Sequence, residues 1–247
     1  MFNWIESHGK TALLTAVLAS VIIGTSILAG GLVKFKALEQ SKLAVTGYAE
    51  TLVQSDIAEW TLTVSAFDSS KAQAYKKLNH DLATLKNVLN TNGIPPSDFN
   101  ENTLYVTTQY KKNLNGYDTT ELAGYTLSKA VVVRTTKLDA VQSTAKTLER
   151  LVGNGLGVDV TAPQYLFSKL DSLKLNLIAK ATKNAKDRAT TMAKVTGNEV
   201  GSLLSATSGV FQITPPNSTD VSDYGQYDTT TRQKKVTSVV NVTFSIQ

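Results

Sequence analysis

The sequence predicts an α+β protein, with an N-terminal transmembrane helix followed by a domain in which an antiparallel or mixed sheet carries about three packed helices. Three observations lead there. Residues 11–33, TALLTAVLASVIIGTSILAGGLV, carry no charge. Ala58, Trp60, Leu62, Val64 and Ala66 alternate with Glu59, Thr61, Thr63 and Ser65, the pattern of a half-buried strand. Three later segments repeat small or apolar side chains at steps of three and four, the helical period.

As a helix rising about 1.5 Å per residue, the uncharged run reaches roughly 34 Å, enough for a hydrocarbon core of about 30 Å. A cleaved secretory signal needs a basic start, an apolar stretch of roughly 7 to 15 residues and a small-residue cleavage site. Here Lys10 is the sole basic side chain ahead of the run, the run is longer, and Ala29-Gly30-Gly31 matches a cleavage site only in part. The run therefore reads as an uncleaved signal-anchor, with residues 1–36 as the membrane segment and 37–247 as the domain it carries. Ala12, Ala16, Ser20 and Gly24 recur every four residues and form a small-residue ridge along which spans pack closely. Lys10 lies before the run and Lys34, Lys36 and Lys42 after it. A long domain crosses largely regardless of so small a bias, so charge leaves the side undecided.

Two strands are expected from Leu43 to Ala66, broken near Gln54 to Asp56. Asp68, Ser69 and Ser70 then offer N-caps to a helix with Tyr75, Leu78, Leu82, Leu85 and Leu89 on its apolar face, closed by Gly93 with Pro95-Pro96 beyond. A hairpin follows, Thr103 to Lys111 and Gly124 to Thr135, turning at Asn115-Gly116. Leu138, Val141, Ala145, Leu148 and Val152 mark a second helix, with Thr136 and Asp139 at capping-box spacing. Val158, Val160 and Ala162 alternate as a strand, and Pro163 places it at an edge or a bulge. The third helix, Lys169 to Thr196, carries Ala181, Ala185, Ala189 and Ala193 every four residues and is closed by Gly197. Two strands finish the chain, Glu199 to Thr214 and Lys235 to Gln247. The second aligns Val236, Val240, Val242, Phe244 and Ile246 on one face, as a central strand does. Between them, Pro215 to Arg232 is a polar run expected to form a long exposed loop, disordered or placed at a subunit contact.

The chemistry available is narrow. There is no cysteine, which excludes disulfides and thiol catalysis, and histidine occurs only at His8 and His80, which leaves no zinc cluster. Without residues 1–36 the chain keeps 22 basic and 19 acidic residues, too balanced and dispersed for a nucleic-acid footprint. Ser143 and Lys146 match the S-x-x-K pattern of acyl-enzymes, but its companion motifs are missing. Gly153-Asn154-Gly155-Leu156-Gly157 follows a helix, the reverse of a dinucleotide loop, and reads as a helix stop. Glu50, Asp56 and Glu59 read as surface charges. No catalytic residue, cofactor site or metal site is expected.

Val45-Thr46-Gly47-Tyr48-Ala49-Glu50 with Asp56-Ile57-Ala58, then Gly93-Ile94-Pro95, then Gly124-Tyr125 follow one another along the chain. Next comes the alanine-rich helix leading into Val195-Thr196-Gly197-Asn198-Glu199-Val200-Gly201. In this order they resemble the SIMPL-domain family, which includes bacterial periplasmic immunogenic proteins and proteins linked to oxidative-stress defence. The resemblance implies an extracytoplasmic α+β domain that assembles into homo-oligomeric rings or channel-like particles, with no catalytic residues to carry over. The expectation is a noncatalytic cell-envelope scaffold, single-pass in the bacterial inner membrane with its C-terminal domain in the periplasm. Its partners are further copies of itself and membrane lipid. The alternative is an envelope ligand-binding or signalling module linked to oxidative-stress defence.

Overall fold

The computed structural model describes residues 20–21, 23–31 and 42–247. They fall into two compact units, one made of residues up to Ala49 with Ile178–Gly209 and Ser238–Gln247, the other of Glu50–Leu177 with Val210–Thr237. No shift in composition marks any of the four crossings between them.

The larger unit is built on β2 (Ile57–Asp68) and β5 (Asp118–Thr135), antiparallel from Ala58 opposite Thr135 to Asp68 opposite Tyr125. The sheet runs β3-β5-β2-β6, with β4 also beside β5 and β7 also beside β2. Here β3 is Phe99–Glu101, β4 Tyr105–Lys112, β6 Val158–Val160 and β7 Gln164–Leu166. The expected strand through Ala162 is thus two short ones, pairing β2 at Leu62–Val64 and at Ile57–Glu59. Pro163 lies between them and has no N–H to continue the ladder.

The alternation in β2 does what its period requires, since Ala58, Trp60, Leu62, Val64 and Ala66 are all buried. They face α1 (Lys71–Thr91) and α2 (Leu138–Gly153) in one apolar core. The helix faces differ from expectation in detail. In α1 the buried stripe is Ala74, Leu78, Leu82, Leu85 and Leu89, while Tyr75 is half exposed, because the small side chain suits the crowded first turn and the phenol stays at the wet margin. In α2 the stripe runs through Thr144 rather than Ala145, and Val152 is exposed. The capping box does not form. Thr135 Oγ1 accepts the Lys137 N–H at 3.1 Å, and Asp139 instead takes the guanidinium of Arg232 at 2.7 Å. The Asp68 carboxylate accepts from Ser70 N–H at 3.0 Å and from Lys77 at 2.8 Å, so Ser70 makes no side-chain cap of its own.

Trp60 is 2% exposed and its Nε1 donates to the Thr161 carbonyl at 2.6 Å. Trp60→Phe keeps most of the packing but leaves that carbonyl unpaired, and should cost about 1–3 kcal/mol in urea unfolding. An unchanged midpoint would show that the bond contributes nothing.

The smaller unit holds parts of β1 (Lys42–Gln54), α3 (Leu170–Val195) and β11 (Gln233–Ile246), with β8 (Val200–Ser208) complete. In the sheet order β11 stands between β1 and β8, so the central position expected for the last strand is borne out. Val45, Val240, Val242 and Phe244 pack with Ala181, Ala185 and Ala189 of α3, which accounts for the alanine ridge as the chain's own core. The expected Glu199–Thr214 strand is divided. The β8 segment pairs the far end of β11, while β9 (Gln212–Thr214), in the larger unit, pairs Lys235–Thr237 and is flanked by the parallel β10 (Gln226–Tyr227).

Among the described residues no helix is long and apolar enough to cross a membrane. Residues 20–21 and 23–31 are helical, and Val21, Ile23, Ile27 and Leu28 are more than half exposed. The remainder of the 11–33 run lies outside the described residues.

Candidate functional site

Of the four residues expected to pack membrane helices, Ser20 and Gly24 lie in the described helical stretch and Ala12 and Ala16 fall outside it. A side chain added at Gly24 would meet nothing within 4 Å.

No group of three or more His, Cys, Asp or Glu converges among the described residues. His80 is exposed on α1, and His8 lies outside the described residues. Ser143 and Lys146 are both exposed on α2, where the Ser143 hydroxyl donates to the Ala140 carbonyl at 3.0 Å. The glycine-rich stretch after α2 ends that helix and leads into β6, as expected, and the Gly157 N–H donates to Asp81 at 3.1 Å. The three carboxylates Glu50, Asp56 and Glu59 form no common pocket. Glu59 pairs with Arg134, while Asp56 accepts from the N–H and hydroxyl of Ser168 at 2.7 and 2.6 Å. Burial pushes the Asp56 carboxyl up, but those bonds outweigh it and hold it below its ordinary value.

The 215–232 run is held by its own polar side chains. Gln212 brackets Ser222 through both amide atoms, Lys235 donates to the Ser218 carbonyl at 2.7 Å, and Asp228 N–H donates to the Ile213 carbonyl at 2.8 Å. At its end stands a buried ion pair that reading the sequence missed. Lys234 is 2% exposed, lies 3.4 Å from Asp228 and donates to the Thr231 carbonyl at 2.6 Å. Asp228 also accepts from the N–H groups of Thr230 and Thr231 and from both hydroxyls. Burial pushes its carboxyl up, yet the Thr231 and Thr230 hydrogen bonds and the Lys234 charge prevail and bring it to about 2. Burial also draws the Lys234 ammonium below its ordinary value, against the pull of Asp228. The partners of this pair are Thr230, Thr231 and each other, so it ties the end of the loop to the start of β11. Parity was the available signal, since Lys234 shares the face of Val236, Val240 and Val242.

Two surface features remain in the larger unit. A groove of about 630 Å³ runs beside α1 and β3, lined by Asn87, Asn90, Asn100, Phe99, Lys86 and Glu101 among others. Hydrogen bonds from Lys129 and Lys86 hold Glu101 below its ordinary carboxylate value, so the groove's acid is already neutralised by its neighbours. The second feature is the β4–β5 hairpin. Its turn is organised by Asn113, whose side chain accepts the N–H groups of Asn115 and Tyr117 at 3.0 Å each, with Gly116 at φ +81° supplying a left-handed position. On one side β4 pairs β5; no described strand pairs its other edge. Tyr105, Val106, Tyr110, Leu114, Tyr117 and Leu122 are all exposed on this hairpin.

Residues 43–244 match the family model described as SIMPL, a protein of unknown function (DUF541). The chain belongs to the SIMPL family. Among solved structures, the SIMPL chain is similar to a hydantoinase/carbamoylase family amidase from Burkholderia ambifaria at 13% identity and a TM-score of 0.26, over 47% of this chain and 29% of that one. A putative aminohydrolase from methicillin resistant Staphylococcus aureus matches at 19% identity and 0.23, over 47% and 31%. An uncharacterized conserved protein from Listeria innocua matches at 9% and 0.22, over 80% and 92%. The SIMPL chain thus spans about a third of the amidase and of the aminohydrolase. No curated protein matches it.

Proposed function

We propose that this SIMPL protein is a noncatalytic, membrane-anchored cell-envelope scaffold that self-assembles into a large homo-oligomeric ring, cage or channel-like particle. Its domain lies outside the cytoplasm of a bacterium, held at the inner membrane by residues 11–33. The observation that carries the reading is the pair of open strand edges. The eight residues of β4 and the nine of β8 each have a single neighbour among the described strands, and both expose large apolar side chains, Leu203 and Leu204 on β8. Long open edges with apolar side chains are liabilities in a monomer and templates in an assembly. The exposed Val21, Ile23, Ile27 and Leu28 suit a lipid-facing helix.

Mass and particle shape of the full-length protein in mild detergent, compared with a shortened protein beginning at Ala37, test this. A large defined particle from the full-length protein is expected, and its persistence without the anchor assigns assembly to the SIMPL domain. Leu at Ala16, Ser20 and Gly24 together should loosen the spans, and unchanged assembly in membranes would remove the ridge from the account. Monomers of both lengths would reject the scaffold. The carboxamide-lined groove would then favour a ligand-binding or signalling module, which saturable binding by the anchorless monomer would establish.

A further inference from the structure

The outer edge of β4 is more than an unprotected strand, because its sequence is complementary to itself in one antiparallel register. From Tyr105 to Lys111 it reads YVTTQYK. A two-fold axis through Thr108 sets Val106 opposite Tyr110 of the second copy, Thr107 opposite Gln109, Tyr105 opposite Lys111, and Thr108 opposite itself. Alternate residues share a face, so Val106, Thr108 and Tyr110 join their counterparts on one side of the new sheet and Tyr105, Thr107, Gln109 and Lys111 on the other.

Two of these pairings are stabilising contacts. Val106 with Tyr110 is an aromatic–β-branched pair, made twice about the axis. Tyr105 with Lys111 sets an ammonium against an aromatic ring, also twice. Lys111 is already matched by Glu121 on the adjoining β5, so its charge stays compensated when a tyrosine covers it. Two other centres fare worse. An axis through Lys111 would face that lysine with its own copy, and one through Gln109 would set Val106 against Lys112.

We propose that two copies of this chain join edge to edge along β4, antiparallel and centred on Thr108, so that the β4–β5 hairpins merge into a continuous β5-β4-β4-β5 sheet. The contact rests on the self-assembly reading above and supplies one of its interfaces. It is isologous and closes on itself as a dimer, so a larger closed particle needs a second contact of a different kind. The edge groups of β4 supply main-chain bonds, and the Tyr-rich flanks supply the area that interfaces favour.

The chain has no cysteine, which makes the register directly testable. In the full-length Thr108→Cys variant the two sulfurs would meet across the axis, within the Cα separations that a disulfide spans. Mild oxidation should convert most of the chain to a covalent dimer that reverts under reductant. Ser143→Cys on α2, also exposed and away from both open edges, should give at least tenfold less. Thr108→Lys, which puts two ammonium groups face to face, should remove the β4 contact and lower the native particle mass. If Thr108→Cys stays monomeric on denaturing gels while the unmodified protein forms large particles, the β4 contact is wrong and the scaffold stands. If the unmodified protein is also monomeric, both fall.

Discussion

Gly47→Ala is expected to destabilise the smaller unit by about 3 kcal/mol, at the upper end of what overpacking costs. A methyl group built on Gly47 would sit 2.1 Å from the Ala181 carbonyl oxygen, 2.7 Å from the Ala185 Cβ and 2.8 Å from the Ala185 nitrogen. Two of those three atoms are helix backbone and cannot swing aside, so β1 and α3 must separate. The strain would spread to two bonds that tie the strand to the helix, Tyr48 N–H to Asn184 at 3.1 Å and Arg188 to the Thr46 carbonyl at 3.1 Å. The melting temperature should fall by about 6–12 °C, and hydrogen exchange should accelerate in residues 178–195. Gly153→Ala is the control, since a side chain there meets nothing within 4 Å at the end of α2 and should be neutral or slightly stabilising. Equal melting temperatures for the two variants would show that the close approach of β1 to α3 is not what Gly47 provides.

Asp228→Ala should cost about 3–5 kcal/mol, because it strands the buried Lys234 ammonium and removes the carboxylate that the Thr230 hydroxyl and the N–H groups of Thr230 and Thr231 donate to. Lys234→Met should cost less, since Asp228 keeps its hydroxyl and N–H donors. The cost of Asp228→Ala depends on pH in a definite direction. The folded carboxyl sits at about 2 against an ordinary 3.8, so its contribution is complete above 3.8 and is lost as pH falls through the window down to about 2. The stability gap between the native chain and Asp228→Ala should therefore shrink by about 2 kcal/mol across that window. A gap that is constant from pH 5 to pH 2 would mean that the carboxylate charge is not what the loop uses. Limited proteolysis should also find the 215–232 segment opened in the variant.

Much of this architecture was written locally. The alternation in Ile57–Asp68, the three helices and their glycine stops, the Asn115-Gly116 turn and the buried stripe of the last strand each depend on a few neighbouring residues, and each is where periodicity and turn chemistry place it. The short strands β3, β7 and β10 were not legible, because two or three residues carry no period and become strands only against partners such as Val131–Val133 and Ile57–Glu59, far along the chain. The loop from Pro215 to Arg232 read as open chain for a similar reason. Its order comes from Gln212, Asp228 and Lys235 binding back across it, and composition reports how polar a segment is without reporting which acceptors its donors will find.

By itself, then, the sequence determined the α+β class, the faces of the long elements, membership of the SIMPL family through the order of its motifs, and the absence of thiol chemistry from a chain without cysteine. Tertiary structure alone decided why Gly47 stands in its motif, that Lys234 is buried in an ion pair, and that β4 and β8 each pair on one edge only among the described strands. The physical reason is range. Period and capping are set within a turn or a strand, whereas a close approach, a desolvated charge and an unpaired edge are properties of two segments at once, and nothing in either segment alone records the other.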